Sequence, residues 1–533
     1  MKRLIQMVPL GFTMVVCACL VASPKSLPAS EPPPAEKEIP APVVDANNGF
    51  AVGLYSQLAE HSPDDNLFFS PYSIYGALVM AAEGARGETL SQMAGALRFP
   101  PQPRNNPSIE STTRQIHGGL SELNQRLTAA NRVPVSLRRK VAELQSKLAA
   151  ANKEVARLER GGNFDAINKA ASHANKIADE LNRLLPQVDQ YELRVANALW
   201  GEKTYPFHPA YLAAIRKHDG EGSIFAVDFR GRPDAARQQI NNWVAAQTNN
   251  RIRDIVPPDS VDANTRLALT NAVYFQGAWA RPFHAKATAD GEFTLAGGGT
   301  VTTPLMHHDA LGGGQYAAFN GDGGFFNTPT MVPADDNGSD GETAKADSPP
   351  RYPAADGFTA LSLPYKGGAL SMVFLVPRSA DRLPRIESQL ATGALPGWLS
   401  KLRGREVHVF IPKFKAETQY ELNEPLQALG MTRAFRPNVS GAGAQFDGIS
   451  ETADPAQRLF ISQVLHKAFV ETNEKGTEAA AATAVLFPAA EASQPREMVP
   501  FTPTFRADKP FLFLIRHEPS GAILFLGRIV KPL

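Results

Sequence analysis

Residues Glu474 to Thr483 read E-K-G-T-E-A-A-A-A-T, and the rest of the chain is organised around this stretch. Just before it, Val464 to Glu471 is rich in apolar and β-branched residues and reads as a strand. After it, Pro488, Pro495, Pro500 and Pro503 argue against regular structure until apolar strand signals resume at Phe511. An alanine run on its own favours helix, and Thr477 could cap a short one. As a strand, the same run places Thr477, Ala479, Ala481 and Thr483 on one face and Glu478 on the other. All four residues of that face are small and uncharged. Such a face can enter a packed sheet without overfilling it or burying a charge, so the composition suits a segment exposed in one state and inserted in another.

The 474–483 run resembles the hinge of the reactive-centre loop of inhibitory serpins, and A-D-K-P-F-L-F-L-I, Ala507 to Ile515, resembles the C-terminal signature of the same family. Two such motifs in this order, about one loop apart, are far more specific than either alone. The resemblance implies an α+β serpin fold: three β-sheets with surrounding helices and an exposed reactive-centre loop. It assigns the hinge to Glu474, Gly476, Thr477, Glu478, Ala479, Ala480, Ala481, Ala482 and Thr483. It also implies a suicide-substrate inhibitor. A serine protease, or a cysteine protease as a second class, attacks the loop and forms an acyl-enzyme. The cleaved loop then inserts into the central sheet and distorts the protease before hydrolysis. Counting forward from the hinge puts the reactive bond at Ala490-Glu491, suited to an elastase-like enzyme. Counting back from Phe511 lands near Arg496-Glu497, suited to a trypsin-like one.

Further matches carry roles by the same resemblance. N-L-F-F-S-P-Y-S-I, Asn66 to Ile74, reads as a strand turning into a helix with Pro71 in its first turn. L-A-L-T-N-A-V-Y-F-Q-G-A-W, Leu267 to Trp279, reads as an apolar strand. The family places Ser70, Ser73, Asn271 and His466 in a shutter beneath the central sheet. Trp279 belongs to the breach where the loop first enters, with Lys413 and Glu474 as an ion pair there. Local chemistry allows plainer roles: Ser70 as a helix cap, Asn271 and His466 as hydrogen-bonded core residues, and Trp279 as core.

The chain has 533 residues, with 54 Lys plus Arg against 53 Asp plus Glu. This balance offers no bulk attraction to nucleic acid or to an anionic membrane. Lys2 and Arg3 precede an apolar stretch to Ala22, which reads as a signal peptide over residues 1–18. V-C-A-C, Val16 to Cys19, resembles a bacterial lipobox, implying lipidation of Cys19 and a secreted or cell-envelope protein held on a membrane by acyl chains. The alternative is an ordinary signal with incidental cysteines. Residues 19–46, rich in Pro and Ala, read as an extended tether, with the serpin domain filling 47–533.

Two segments depart from the family. Over residues 133–187, apolar positions from Leu137 to Leu158 and from Ile167 to Leu184 repeat at alternating threes and fours around Gly161-Gly162. They predict an inserted antiparallel helical hairpin, a coiled-coil appendage or else a docking arm for a protein partner or a second copy. Residues 320–355, dominated by Gly, Asp, Pro and Ser, read as a disordered loop. The second function class comes from the first of these: a non-inhibitory serpin serving as an envelope-anchored binding module through the hairpin. No hydrolase elbow, H-E-x-x-H or phosphate loop occurs, so the sequence predicts neither an enzyme nor a cofactor or metal site. The adjacent His307 and His308 read as surface residues rather than ligands.

Overall fold

The structure, a computed structural model, describes residues 39–101, 108–129, 135–159, 164–184, 191–220, 222–333, 350–438, 442–451, 454, 458–477 and 498–532. Among these, strand Leu267–Ala278 is the middle of the central sheet, whose order is Phe414–Glu421, Ile461–Thr472, Leu267–Ala278, Tyr191–Glu202 and Ile224–Val227. The middle strand is buried at all but one position because both of its faces are covered. Leu267, Leu269, Val273 and Phe275 enter the main core with Phe50, Leu54 and Leu78. On the other face, Ala268 and Ala272 lie in a second cluster with Ile240 and Val244 of helix Pro233–Gln247. The L-A-L-T-N-A-V-Y-F alternation of bulky and small residues thus matches one thick and one thin side of the sheet.

A second sheet orders Leu67–Phe69, Ile523–Ile529, Phe511–His517, Leu370–Pro377, Phe358–Pro364, Gln315–Phe319 and Arg403–Gly404, with Phe325–Phe326 on the Gln315–Phe319 strand. A third orders Thr504–Arg506, Val407–Pro412, Thr300–Leu311 and Ala289–Thr294. Three main sheets with surrounding helices is the expected α+β architecture. In addition, Met331–Pro333 and Met498–Pro500 form a separate two-stranded ladder.

Helix Pro71–Gly84, capped by Ser70, lies beneath the central sheet. Helix Ile109–Ala129 buries a stripe of Ile116, Leu120, Leu123 and Leu127 at spacings of four, three and four. A buried ionic group joins these helices: His117 pairs with Glu83 at 3.1 Å and with Asp219, the last residue of helix Pro209–Asp219, at 2.7 Å. Burial alone would push the His117 imidazole down, but hydrogen bonds and charge from Asp219 and Glu83 outweigh it and raise it to about 9. Between about pH 6.5 and 9 the folded chain therefore holds a proton that an unfolded histidine has released. This stabilisation is complete below the lower value and is lost as pH rises through the upper one. Denaturant titrations should show stability declining across that window, and His117→Gln should flatten the decline.

Helices Val135–Glu159 and Phe164–Leu184 occupy the 133–187 region. Val141, Leu144 and Leu181 form a small cluster with Leu137, Leu148, Ile177 and Leu184 around it, and Lys140 pairs with Glu180 at 2.9 Å. The start of one helix meets the end of the other, so the two run in opposite directions.

Two boundaries differ from the sequence reading. The tether was expected to reach residue 46, but helix Ala41–His61 begins earlier and buries Val43, Val44 and Ala46. These residues continue the Phe50 and Leu54 stripe backwards at helical spacing, and that periodicity outweighs the Pro/Ala-rich composition. Residues 320–355 were expected to be disordered throughout. Phe325–Phe326 and Met331–Pro333 are strands, and Arg351 and Tyr352 are buried. Phe325–Phe326 folds back on the preceding strand Gln315–Phe319, whereas Met331–Pro333 is ordered by a partner remote in sequence, Met498–Pro500. The rest of that segment, residues 334–349, lies outside the described residues. His307 and His308 are half-buried at the surface, with His307 stacked on Phe410 at 4.2 Å between ring centroids.

Candidate functional site

The site forms where the central sheet opens. Strand Ile461–Thr472 runs parallel to Leu267–Ala278 and pairs with it from Ile461 opposite Leu267 to Phe469 opposite Tyr274. Beyond that point the ladder stops. The chain turns back at Asn473, whose backbone N–H donates to Gly476 O at 2.9 Å while Gly476 N–H donates to Asn473 O at 3.1 Å. Gly476 and Thr477 then pair antiparallel with Ala278 and Gly277 of the middle strand. Two of the assigned hinge residues, Gly476 and Thr477, already occupy the gap between the strands.

Only glycine fits at the entrance. Gly476 has φ +136°, and a Cβ there would lie 2.2 Å from Gly277 O and 2.6 Å from Ala278 Cα. Gly476→Val adds steric overlap to an unfavourable backbone, a cost of about 1–3 kcal/mol or more that should unseat the hinge. Quantifying denaturation-resistant protease complex against cleaved chain should show the product shifting towards cleaved chain.

Around the entrance stands the predicted breach. Trp279 is buried, stacks on Tyr365 at 4.7 Å between ring centroids, and donates Nε1–H to Asn473 O at 3.0 Å. Backbone bonds from Trp279 N–H to Lys475 O at 3.0 Å and from Phe283 N–H to Glu474 O at 2.8 Å fix the turn. Lys413 Nζ lies 2.6 Å from Glu474 Oε1, which also accepts from the Thr288 hydroxyl at 2.8 Å. Burial pushes the Glu474 carboxyl up, yet hydrogen bonds from Lys413, its own backbone and Thr288 outweigh it and hold the group below the ordinary carboxylate range. The Lys413 side chain is 37% exposed, so the pair adds about 1 kcal/mol or less to stability and acts chiefly by fixing the turn's position.

Deeper in the sheet lies the shutter. Asn271 and His466 are register partners on the parallel strands, and Asn271 and Asn197 are partners on the next pair. Ser70 N–H donates to His466 Nε2 at 3.2 Å, so the imidazole proton sits on Nδ1 and is donated to Asn271 Oδ1 at 2.5 Å. Asn271 Nδ2 donates to Ser73 Oγ at 2.6 Å and to Asn197 Oδ1. Ser73 Oγ donates to Asn197 Oδ1 at 3.0 Å. Ser70 both caps its helix, accepting from Ser73 N–H at 3.2 Å, and donates to Leu524 O at 2.7 Å. Full burial pushes His466 down to about 3 and keeps it neutral.

The structure thus brings together Ser70, Ser73, Asn271 and His466, and separately Trp279, Lys413, Glu474 and Gly476. Asn197 and Thr288 were not singled out from the sequence. Asn197 carried a usable signal, an amide inside the apolar run Val195 to Trp200. Thr288 carried none. Glu478 to Thr483, the candidate bonds Ala490-Glu491 and Arg496-Glu497, and Cys19 lie outside the described residues.

The central sheet is thus parted at one end, with the two-residue strand Gly476–Thr477 lying in the gap. A family model described as Serpin (serine protease inhibitor) matches residues 45–153, 143–322 and 344–532. The chain belongs to the serpin family. It is 34% identical over 493 residues to the leukocyte elastase inhibitor of Sus scrofa, covering 91% of this chain and 98% of that protein. It is 31% identical over 492 residues to an uncharacterised serpin-like protein of Thermococcus kodakarensis, covering 92% of this chain and 86% of the other. Uncleaved ovalbumin superposes with a TM-score of 0.60 at 25% identity, covering 92% of this chain and all of that one.

Proposed function

We propose that this protein is a suicide-substrate inhibitor of serine proteases. The observation that carries the reading is the seating of Gly476 and Thr477 beside Ala278 and Gly277, because it sets the register for the rest of the loop. Continued down strand Leu267–Ala278 in the inserted state, that register would set Thr483 opposite Asn271 and Phe487 opposite Leu267. Continued along the Asn473–Gly476 hairpin, it sets Thr483 opposite His466. The two counts agree. A threonine hydroxyl would arrive where insertion separates His466 from Asn271, so both keep a partner. Pro488, which has no N–H to donate, falls just past the end of the middle strand and suits the end of the inserted segment.

In this reading the protease serine oxygen attacks the reactive-bond carbonyl, forming an ester as the amine of the next residue leaves. Residues 476–487 then complete a new strand and carry the bound protease to the far end of the sheet. Ala490-Glu491 lies shortly beyond Phe487, and the name of the porcine relative, an elastase inhibitor, supports a small residue at the cut. Arg496-Glu497 remains the trypsin-like alternative. The leader sequence supports export and lipidation at Cys19, and the paired helices of residues 135–184 are a candidate surface for a protein partner.

Incubation with an elastase-like and a trypsin-like protease tests the proposal. The expected result is a complex that survives denaturation, with mass spectrometry of the released C-terminal peptide locating the bond. Clean loop cleavage without complex across a broad protease panel would overturn it.

A further inference from the structure

Among the described residues, a cavity of about 810 Å³ is walled by both the second and the third sheet. That volume far exceeds an inorganic ion and falls in the range of small-molecule sites. Part of the wall is Arg351 and Tyr352, from the 320–355 segment that departs from the serpin pattern, so the family resemblance does not supply it. The cations of the wall are mounted on rings. Arg351 Cζ lies 5.4 Å from the centre of the Phe501 ring, Arg378 Cζ 4.7 Å from Tyr352, and Arg506 Cζ 4.2 Å from Phe410. Stacking by the face holds a guanidinium in one plane and sets its N–H groups along the edge, the geometry that grips a carboxylate or phosphate in bidentate fashion. Tyr352 and Phe501 meet edge to face at 5.9 Å, and the Tyr352 hydroxyl accepts from Thr504 N–H at 2.8 Å. Arg351 and both of these rings are buried, so the wall is organised in advance of any ligand.

The wall carries two carboxylates. Asp309 Oδ1 lies 2.9 Å from His307 Nε2 and 3.5 Å from His408 Nδ1, while Asp508 pairs with Arg506 at 2.9 Å and with Lys509 at 2.6 Å. Four side chains of Arg or Lys line the space, so the wall has an excess of two positive charges. A concave site with low-dielectric walls concentrates that field on an anion. We propose that this cavity binds a small organic dianion, with one acidic group on Arg351 and Arg378, the other on Arg506 and Lys509, and the body against Val376 and Pro377. Carboxylates and phosphates share the chemistry that stacked guanidinium groups recognise. Separate pairs of cations suit two acidic groups held apart by an organic body. The site stands apart from protease trapping, since it needs no cut or inserted loop.

The test is calorimetric titration of the full-length, uncut protein with isophthalate and with fructose 1,6-bisphosphate. Benzoate and inorganic phosphate serve as controls with a single acidic group. Wild type should bind at least one of the first two with a dissociation constant below about 1 mM, and the controls at least about tenfold more weakly. The tighter of the two probes tells whether carboxylates or phosphates are read. Arg378→Gln and Arg506→Gln each remove a charge-assisted hydrogen bond from one end of the ligand and should weaken binding about tenfold or more. Melting curves establish that the variants fold. Hydrogen exchange on the wild type needs no variant, and ligand should protect peptides spanning 351–359 and 500–509. The proposal is overturned if neither probe binds below about 10 mM, or if the controls bind as tightly. Unchanged affinity in either folded variant, or protection confined to other parts of the chain, would overturn it equally.

Discussion

Replacing Thr483 by Arg is expected to turn the inhibitor into a substrate. The loop will still be cut at an unchanged rate, because Thr483 lies outside the bond attacked, but complex resistant to denaturation will fall by an order of magnitude or more. Extended by the proposed insertion, both registers would bring position 483 to the fully buried pair Asn271 and His466, beneath which sit Ser70 and Ser73. No carboxylate takes part in that polar group. An arginine there would be an unpaired buried cation, costing several kcal/mol after relaxation. Insertion would stall partway, and hydrolysis of the acyl-enzyme would overtake it. Gel quantification of complex against cleaved chain reads the partition directly. The cleaved variant should also lose most of the heat resistance that the cleaved wild type gains. Undiminished complex from Thr483→Arg would show that the register does not continue past Thr477.

The second large effect is expected at Asn271. Asn271→Ala leaves the His466 Nδ1–H, buried and neutral, with no acceptor, and removes a donor from Ser73 and Asn197. One or two buried groups left unmatched cost about 3 kcal/mol. Because the lost bond spans the two strands that the loop must part, the variant should also insert its loop more readily and lose activity on storage. Denaturant unfolding measures the first effect, and the appearance of heat-resistant uncut protein measures the second. Acid should have a related action on the wild type. An unfolded histidine takes up a proton near pH 6.5 whereas folded His466 resists it until about 3, so stability is complete above the first value and falls as pH drops towards the second. His466→Gln should lose that part of the acid sensitivity.

Sequence reading singled out Ser70, Ser73, Asn271 and His466, and separately Trp279, Lys413 and Glu474, two groups that the structure brings together, because these residues sit in continuous runs of distinctive types. Small alternating side chains mark the hinge, a tryptophan ends an apolar strand, and a serine precedes a helix-starting proline. Asn197 escaped because its meaning lies in being opposite Asn271, a pairing across strands remote in sequence. Met331 to Pro333 escaped for the same reason. A short strand in Gly- and Pro-rich surroundings has no periodicity of its own, and its partner at Met498 to Pro500 is far along the chain. The start of the globular domain was misplaced because composition was weighed above spacing at Val43, Val44 and Ala46.

The seated pair Gly476 and Thr477 bears on how quickly such a trap can close. A strand joining a sheet from free solution must first bring its ends together and fix several residues before any ladder bond forms. Here that nucleation is complete before any protease arrives, since the hairpin at Asn473 and the bonds to Gly277 and Ala278 are already in place. Once the loop is cut, only elongation remains, one residue after another. In the proposed trap, speed would then be set by how easily His466 and Asn271 let go of each other, not by the search for a place to begin.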